Sequence, residues 1–354
     1  MNLIKRAIVS VSSTSLTDEE KYLLNKHNPL GVTLFLRNIE TPHQLQSLVK
    51  EIKGTIGRGD VLICIDQEGG RVARLREPFF RSYLSQRAIG LFEEDEAKRV
   101  AFLQALLISD DLKKMGINLN YAPCIDLLHE KTGNVLKSRC LSDDPKKVTV
   151  LAEKMVKTYH QNGIIACLKH APGHGQAMVD PHLALPIVDL DLNDFQPDLY
   201  PFKMLASESV SMMTAHILLP KVDSKPVTQS QKAISELIRG EIGFDGFLIS
   251  DAIDMKALKG SLSEKVKSSL EAGCDAICYC MGQVEGLEEV LSTATYLTDE
   301  NLNRFEKMKN ILSLNDKPVV VDERMIDSYQ NLFNLAPRII EDYDAVEVLN
   351  QLKS

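Results

Sequence analysis

The 354 residues are 44% hydrophobic and 25% charged, with 49 acidic against 41 basic side chains and a net charge of −8. These fractions exclude whole-chain disorder, collagen and coiled coil, and a net acidic chain is a poor candidate for sequence-independent DNA binding, which needs a basic patch. No apolar run approaches the ~20 residues of a membrane span, and the opening Met-Asn-Leu-Ile-Lys-Arg lacks a signal peptide's apolar core.

Eight short apolar, β-branched runs follow one another, at residues 7–11, 32–36, 61–66, 118–126, 164–170, 209–216, 247–251 and 275–280. The stretches between them carry helical signals. Residues 44–52 are apolar at helical spacing. Residues 144–160 open with Asp144-Pro145, a cap followed by proline in the first turn; residues 230–242 begin with a serine; residues 263–272 stop at Gly273. Continuous apolar strands joined by helices predict parallel strands buried on both faces. Eight such units predict a (β/α)8 TIM barrel. A doubly wound sheet is the alternative, but its Gly-x-Gly-x-x-Gly after the first strand is absent. From about residue 296 to 354 the chain reads as helices packed outside the barrel, the last around 342–352, so one α/β domain is expected over 1–354. Of seven cysteines, Cys64, Cys124, Cys167, Cys278 and Cys280 fall inside apolar runs, as reduced core thiols of a cytoplasmic protein do. Cys278-x-Cys280 is not zinc spacing, and no second pair answers it.

Barrel active sites lie at the C-terminal ends of the strands. Polar groups close the apolar runs there: Asp66, Asp126, Lys169-His170, His216 and Asp251. One such residue merely surfaces; their recurrence on five strands points to a ligand. After Asp66, the pair Gly69-Gly70 permits a sharp turn that folds an arginine back over the mouth. An ionised Asp66 can accept hydrogen bonds from two sugar hydroxyls. His170 and His174 are four apart, but Pro172 and Gly173 break any helix between them and no glutamate accompanies them, which disfavours a metal site. Asp180 and His182 suit an acid/base dyad in which the carboxylate orients the imidazole. Asp251 is placed to act as a carboxylate nucleophile, and Asp254 reads as a cap of the following helix.

The segments Gly31–Asn38, Asp66–Val72, Lys169–Gly175, Asp180–His182 and Ser250-Asp251, taken in order, resemble the family 3 glycoside hydrolases. They are most similar to the bacterial cytoplasmic β-N-acetylhexosaminidases of peptidoglycan recycling. The resemblance implies a retaining mechanism with Asp251 as nucleophile and His182, helped by Asp180, as acid/base. It implies sugar-binding roles for Asp66, Arg74, Arg139, Lys169 and His170. No cofactor, metal, nucleic acid, membrane or obligate protein partner is implied. The expected substrate is a small sugar, N-acetylglucosaminyl-anhydromuropeptide. Two residues depart from the family pattern. Ala171 replaces a usual phenylalanine, which is expected to open space beside the sugar, and Pro181 replaces a usual serine. Without tryptophan, Tyr121 or Tyr279 is left as a stacking platform. A β-glucosidase, a phosphorylase of the same family, and a non-catalytic sugar-binding barrel are the alternatives.

Overall fold

A computed structural model describes residues 3–313, 320–337 and 339. Eight parallel strands close into a barrel in sequence order: β1 (Lys5–Ser10), β2 (Pro29–Leu34), β3 (Leu62–Ile65), β4 (Leu119–Asn120), β5 (Ile165–Ala171), β6 (Ser211–Thr214), β7 (Phe247–Ala252) and β8 (Ala276–Cys278). β8 returns to β1 through the pairs Ala7–Ile277 and Ile8–Cys278. The predicted run at 118–126 is the one most shortened. Only Leu119–Asn120 forms strand, because Pro123 has no N–H to give a ladder, and Cys124 regains contact with β5 through a single bridge to Lys169.

The period-2 alternation of strands sorts side chains into two layers. Ile8, Leu62, Cys64, Leu119, Ile165, Cys167, Phe247, Ile249, Ala276 and Cys278 fill the barrel interior. Their neighbours Ala7, Val9, Ile63, Ile65, Ala166, Leu168, Leu248 and Ile277 face outward against the helices.

The helices start and stop on capping signals. α1 (Asp18–His27) opens with a Thr17/Glu20 capping box, and α2 (Pro42–Ile56) is capped by Thr41 with proline at its first position. α3 (Gln86–Gly90), α4 (Glu94–Lys114) and α5 (Asn134–Lys137) precede α6 (Pro145–Gln161), which Asp144 caps through the Lys146 N–H. After α7 (Leu192–Leu205), α8 (Gln231–Ala233) begins at Ser230 and widens into a π-helical stretch, Ile234–Glu241. α9 (Leu262–Ala272) ends on Gly273 in the left-handed region, and α10 (Val284–Thr293) follows.

The tail does more than coat the outside. α11 (Asp299–Ser313) inserts Phe305, Met308 and Ile311 beneath the interior layer, sealing the N-terminal end of the barrel. There the buried Asp275 accepts bonds from Arg239 (2.8 Å), Arg304 (2.9 Å), Asn301 (2.7 Å) and the Leu248 N–H (2.7 Å). α12 (Glu323–Leu335) docks through Tyr329, which donates to Gln104 at 2.6 Å. The helix expected at 342–352 lies outside the described residues.

Candidate active site

With one end sealed, the opposite end of the barrel holds a cavity of about 300 Å³. The alternation places its floor. The interior row of β3 (62, 64) continues to Asp66, that of β5 (165, 167) to Lys169, that of β7 (247, 249) to Asp251 and that of β8 (276, 278) to Cys280. All four line the cavity.

Asp66 accepts from Lys169 Nζ at 2.8 Å and from Arg74 Nη2 at 3.3 Å. Burial acts to raise its pKa, yet Lys169 and Arg74 outweigh burial and hold the carboxyl well below the usual range. Beneath it sits Glu68, 1% exposed, which sequence reasoning passed over. Lys169 Nζ approaches it at 2.7 Å, and Arg139 grips it through Nη2 (2.8 Å) and Nε (3.0 Å). Burial opposes its charge, but Arg139 and Lys169 bring its pKa down to about 2. Lys169 in turn is pushed up against its own burial penalty by Asp66 and Glu68. The result is a charged lattice of two carboxylates and three cations, of which Asp66 is the most exposed.

His170 donates from Nδ1 to Asp126 at 2.7 Å, leaving Nε2 to accept from Arg139 at 3.3 Å. Asp126 is fully buried behind that ring and also accepts the His170 and His174 N–H groups. It is a positioning group and does not line the cavity. The same is true of His216, held between Thr228 Oγ1 (2.7 Å) and the Ala252 carbonyl (2.9 Å). These two members of the expected polar ring stand behind the surface.

The segment after β5 carries the dyad. Gly173 takes a φ of 135°, and a Cβ on Gly175 would lie 2.0 Å from the Leu127 carbonyl, so both glycines are required for the turn. Asp180 Oδ1 accepts from the His182 N–H at 2.9 Å and from His182 Nδ1 at 2.7 Å. The tautomer is thereby fixed, with Nε2 left to exchange a proton at the cavity wall that His182 lines. Pro181 contributes its carbonyl, which accepts from Ala257 N at 3.0 Å and ties this segment to the chain after β7. Asp251 is 8% exposed and accepts from the Ala252 N–H at 2.8 Å. Burial raises its pKa, but His216, His170, the Ala252 N–H and His182 together leave it below the ordinary carboxyl value.

Three expectations are corrected. Asp254 caps no helix; Ser261 caps α9, while Asp254 lines the cavity and accepts from Cys280 N at 2.8 Å. Ala171 is fully buried in the layer outside the barrel, away from the cavity lining, so its small size opens nothing beside the sugar. Tyr279 also faces outward, whereas Tyr121 lies at the cavity floor with its hydroxyl 3.0 Å from Thr33 Oγ1. The apolar face that the sequence did not announce is Phe35, which lines the cavity with the Arg74 guanidinium 5.7 Å from its ring centre. His174 also lines the cavity. Among the described residues neither of its ring nitrogens finds a partner, and burial lowers its pKa to about 4.

Residues 4–314 match the family model described as glycosyl hydrolase family 3 N terminal domain. The chain belongs to glycosyl hydrolase family 3. It is 35% identical over 276 residues to a β-hexosaminidase of Pseudomonas aeruginosa, covering 77% of this chain and 81% of that one. To a β-hexosaminidase of Chromobacterium violaceum it is 34% identical over 316 residues, covering 87% and 88%. Among solved structures it is similar to native NagZ from Neisseria gonorrhoeae, with a TM-score of 0.82 and 28% identity over 95% of this chain and 99% of that one. The same Neisseria protein has been crystallised with N-trifluoroacetyl-D-glucosamine.

Proposed function

We propose that this family member is a retaining exo-β-N-acetylglucosaminidase that removes terminal N-acetylglucosamine from muropeptides. The observation that carries the reading is that Asp251 and His182, the latter held by Asp180, line one cavity together with Asp66, Lys169, Arg74, Arg139 and His170. Asp66 and Lys169 offer an acceptor and a donor to adjacent sugar hydroxyls; Arg74, Arg139 and His170 complete the cradle. Asp251, ionised at neutral pH, attacks the anomeric carbon, and the glycosidic bond breaks as His182 Nε2 protonates the leaving oxygen. The imidazole, now neutral, then takes a proton from water, which attacks the glycosyl–Asp251 ester and releases the sugar with retained configuration. Asp180 fixes the tautomer and stabilises the protonated ring.

The named β-hexosaminidase relatives support the sugar class, and the seven unpaired cysteines suit a reducing cytoplasm. Among the described residues no helix is long and apolar enough to cross a membrane. The test compares nitrophenyl N-acetylglucosaminide with nitrophenyl glucoside, each with and without inorganic phosphate, and then an anhydro-muropeptide. Preference for the acetamido sugar and indifference to phosphate are expected. Preference for the glucoside, or a sugar 1-phosphate product, refutes the reading.

A further inference from the structure

The cavity floor contains one pair of groups that the sugar chemistry does not use. Cys278 ends β8 and Cys280 lies two residues on, so both side chains fall on the interior face while Tyr279 between them points outward. Their Sγ atoms stand 3.6 Å apart, and both line the same cavity as Asp66, Lys169 and His182. We propose that Cys278 and Cys280 form a chelating site for a thiophilic divalent cation of the zinc and cadmium class, within the floor of the sugar-binding cavity.

The span fits. Two metal–sulfur bonds of about 2.3 Å closing on sulfurs 3.6 Å apart subtend about 103°, close to the tetrahedral angle that such d¹⁰ cations adopt. The two thiols therefore approach the cation with no rearrangement of the strand end. The backbone around them is held: Cys280 N donates to Asp254 at 2.8 Å, and the Cys280 carbonyl accepts from Arg37 at 2.6 Å. The Asp254 carboxylate adds negative charge beside the pair. Water completes the coordination from the open cavity. On binding, two S–H bonds break, two metal–sulfur bonds form and two protons pass to solvent; no electron is transferred and no oxidant is needed.

A second group with ligand spacing exists among the described residues, Cys124, Asp126 and His170, whose donor atoms lie within 4.8 Å of one another. It is a poorer site. Asp126 is already occupied by His170 Nδ1, the Cys124 thiol at 3.2 Å and two backbone N–H groups, all buried. The Cys278–Cys280 pair is more loosely engaged, Cys278 Sγ having only long contacts to Thr33 Oγ1 (3.8 Å) and the Tyr121 hydroxyl (3.7 Å), and it opens on the cavity.

A cation on these sulfurs occupies the space of the sugar and excludes it. That consequence rests on the proposed function; the binding itself does not, and the two are read separately. The purified full chain, reduced and freed of reductant, is titrated with Cd²⁺ while the near-ultraviolet cadmium–thiolate band is followed, and with Zn²⁺ by calorimetry. One cation per chain with thiolate absorbance is expected, its affinity rising steeply with pH because two protons leave. In Cys280→Ser the band at saturation falls to about half and the midpoint moves up by roughly 100-fold, as expected when a chelating pair becomes one ligand. Cys280→Ala gives the same result, and thermal melting of both variants without metal verifies their folding. Where hydrolysis is measurable, Cd²⁺ inhibits the wild type competitively, and a chelator restores it. Unchanged Cd²⁺ affinity in the two variants, or binding abolished instead by Cys124→Ala, overturns the assignment. Metal binding without thiolate absorbance, lost in His182→Ala, also overturns it.

Discussion

Glu68 is the residue whose removal most directly tests the charged lattice. It is buried, touches no solvent-facing part of the cavity, and neutralises Lys169 and Arg139 from behind. Glu68→Gln keeps the shape but presents an amide N–H₂ to two cations, so at least one donor meets another donor. Lowering the carboxyl from its ordinary 4.5 to about 2 corresponds to roughly 3 kcal/mol of stabilisation of the folded state. That is of the order of the ~3–5 kcal/mol expected when one partner of a buried pair is lost. A folded-state value below the unfolded one means that this stability is fully present above pH ~4.5 and is lost as pH falls toward 2. Urea unfolding of wild type and Glu68→Gln should differ by about 3 kcal/mol at pH 7, and the gap should shrink on acidification between those values. The variant should also bind sugar poorly, because Lys169 and Arg139 shift by some fraction of an ångström, and misplacement of order 1 Å costs roughly 10²-fold. A difference below about 1 kcal/mol at pH 7, or one that stays constant down to pH 3, refutes the account of how the lattice is held.

Asp251→Asn should lose turnover by roughly 10⁴-fold or more while retaining sugar binding, and a fluorosugar with a good leaving group should label Asp251 in the wild type; label elsewhere contradicts the assignment. His182→Ala should slow a substrate with a poor leaving group by ~10²–10⁴-fold, yet form the glycosyl-enzyme from an activated nitrophenyl sugar more nearly normally; equal losses across leaving groups of different acidity contradict the acid role. Asp275→Ala strands the Arg239 and Arg304 guanidiniums at the sealed end and should destabilise by ~3–5 kcal/mol in urea, with KM of the remaining folded enzyme unchanged; a large KM change would mean that the two barrel ends are coupled.

The barrel was legible because its signal is repeated: eight apolar runs, each followed by a helical stretch, leave little choice of topology. The run most misjudged in extent, 118–126, contains Pro123, and a proline inside a strand pattern is itself the warning. In the site, strand ends carried the signal for Asp66, Lys169 and Asp251, and parity could have refined it. Met213 lies on the interior face of β6, so His216, three residues on, is out of phase with the cavity, and it is indeed found behind Asp251. Cys280, in phase with Cys278, lines the cavity, although cysteines in an apolar run read as core. Glu68 was invisible for a different reason. It is two residues past Asp66, in a turn whose direction depends on Gly69 and Gly70, and its partners Arg139 and Lys169 are 71 and 101 positions away. A buried charge of this kind is set by where the chain brings its counter-ions, and only the closed barrel supplies that distance. The sequence pattern therefore identifies groups that face a ligand, whereas groups that hold those in place emerge only once burial and pairing are known.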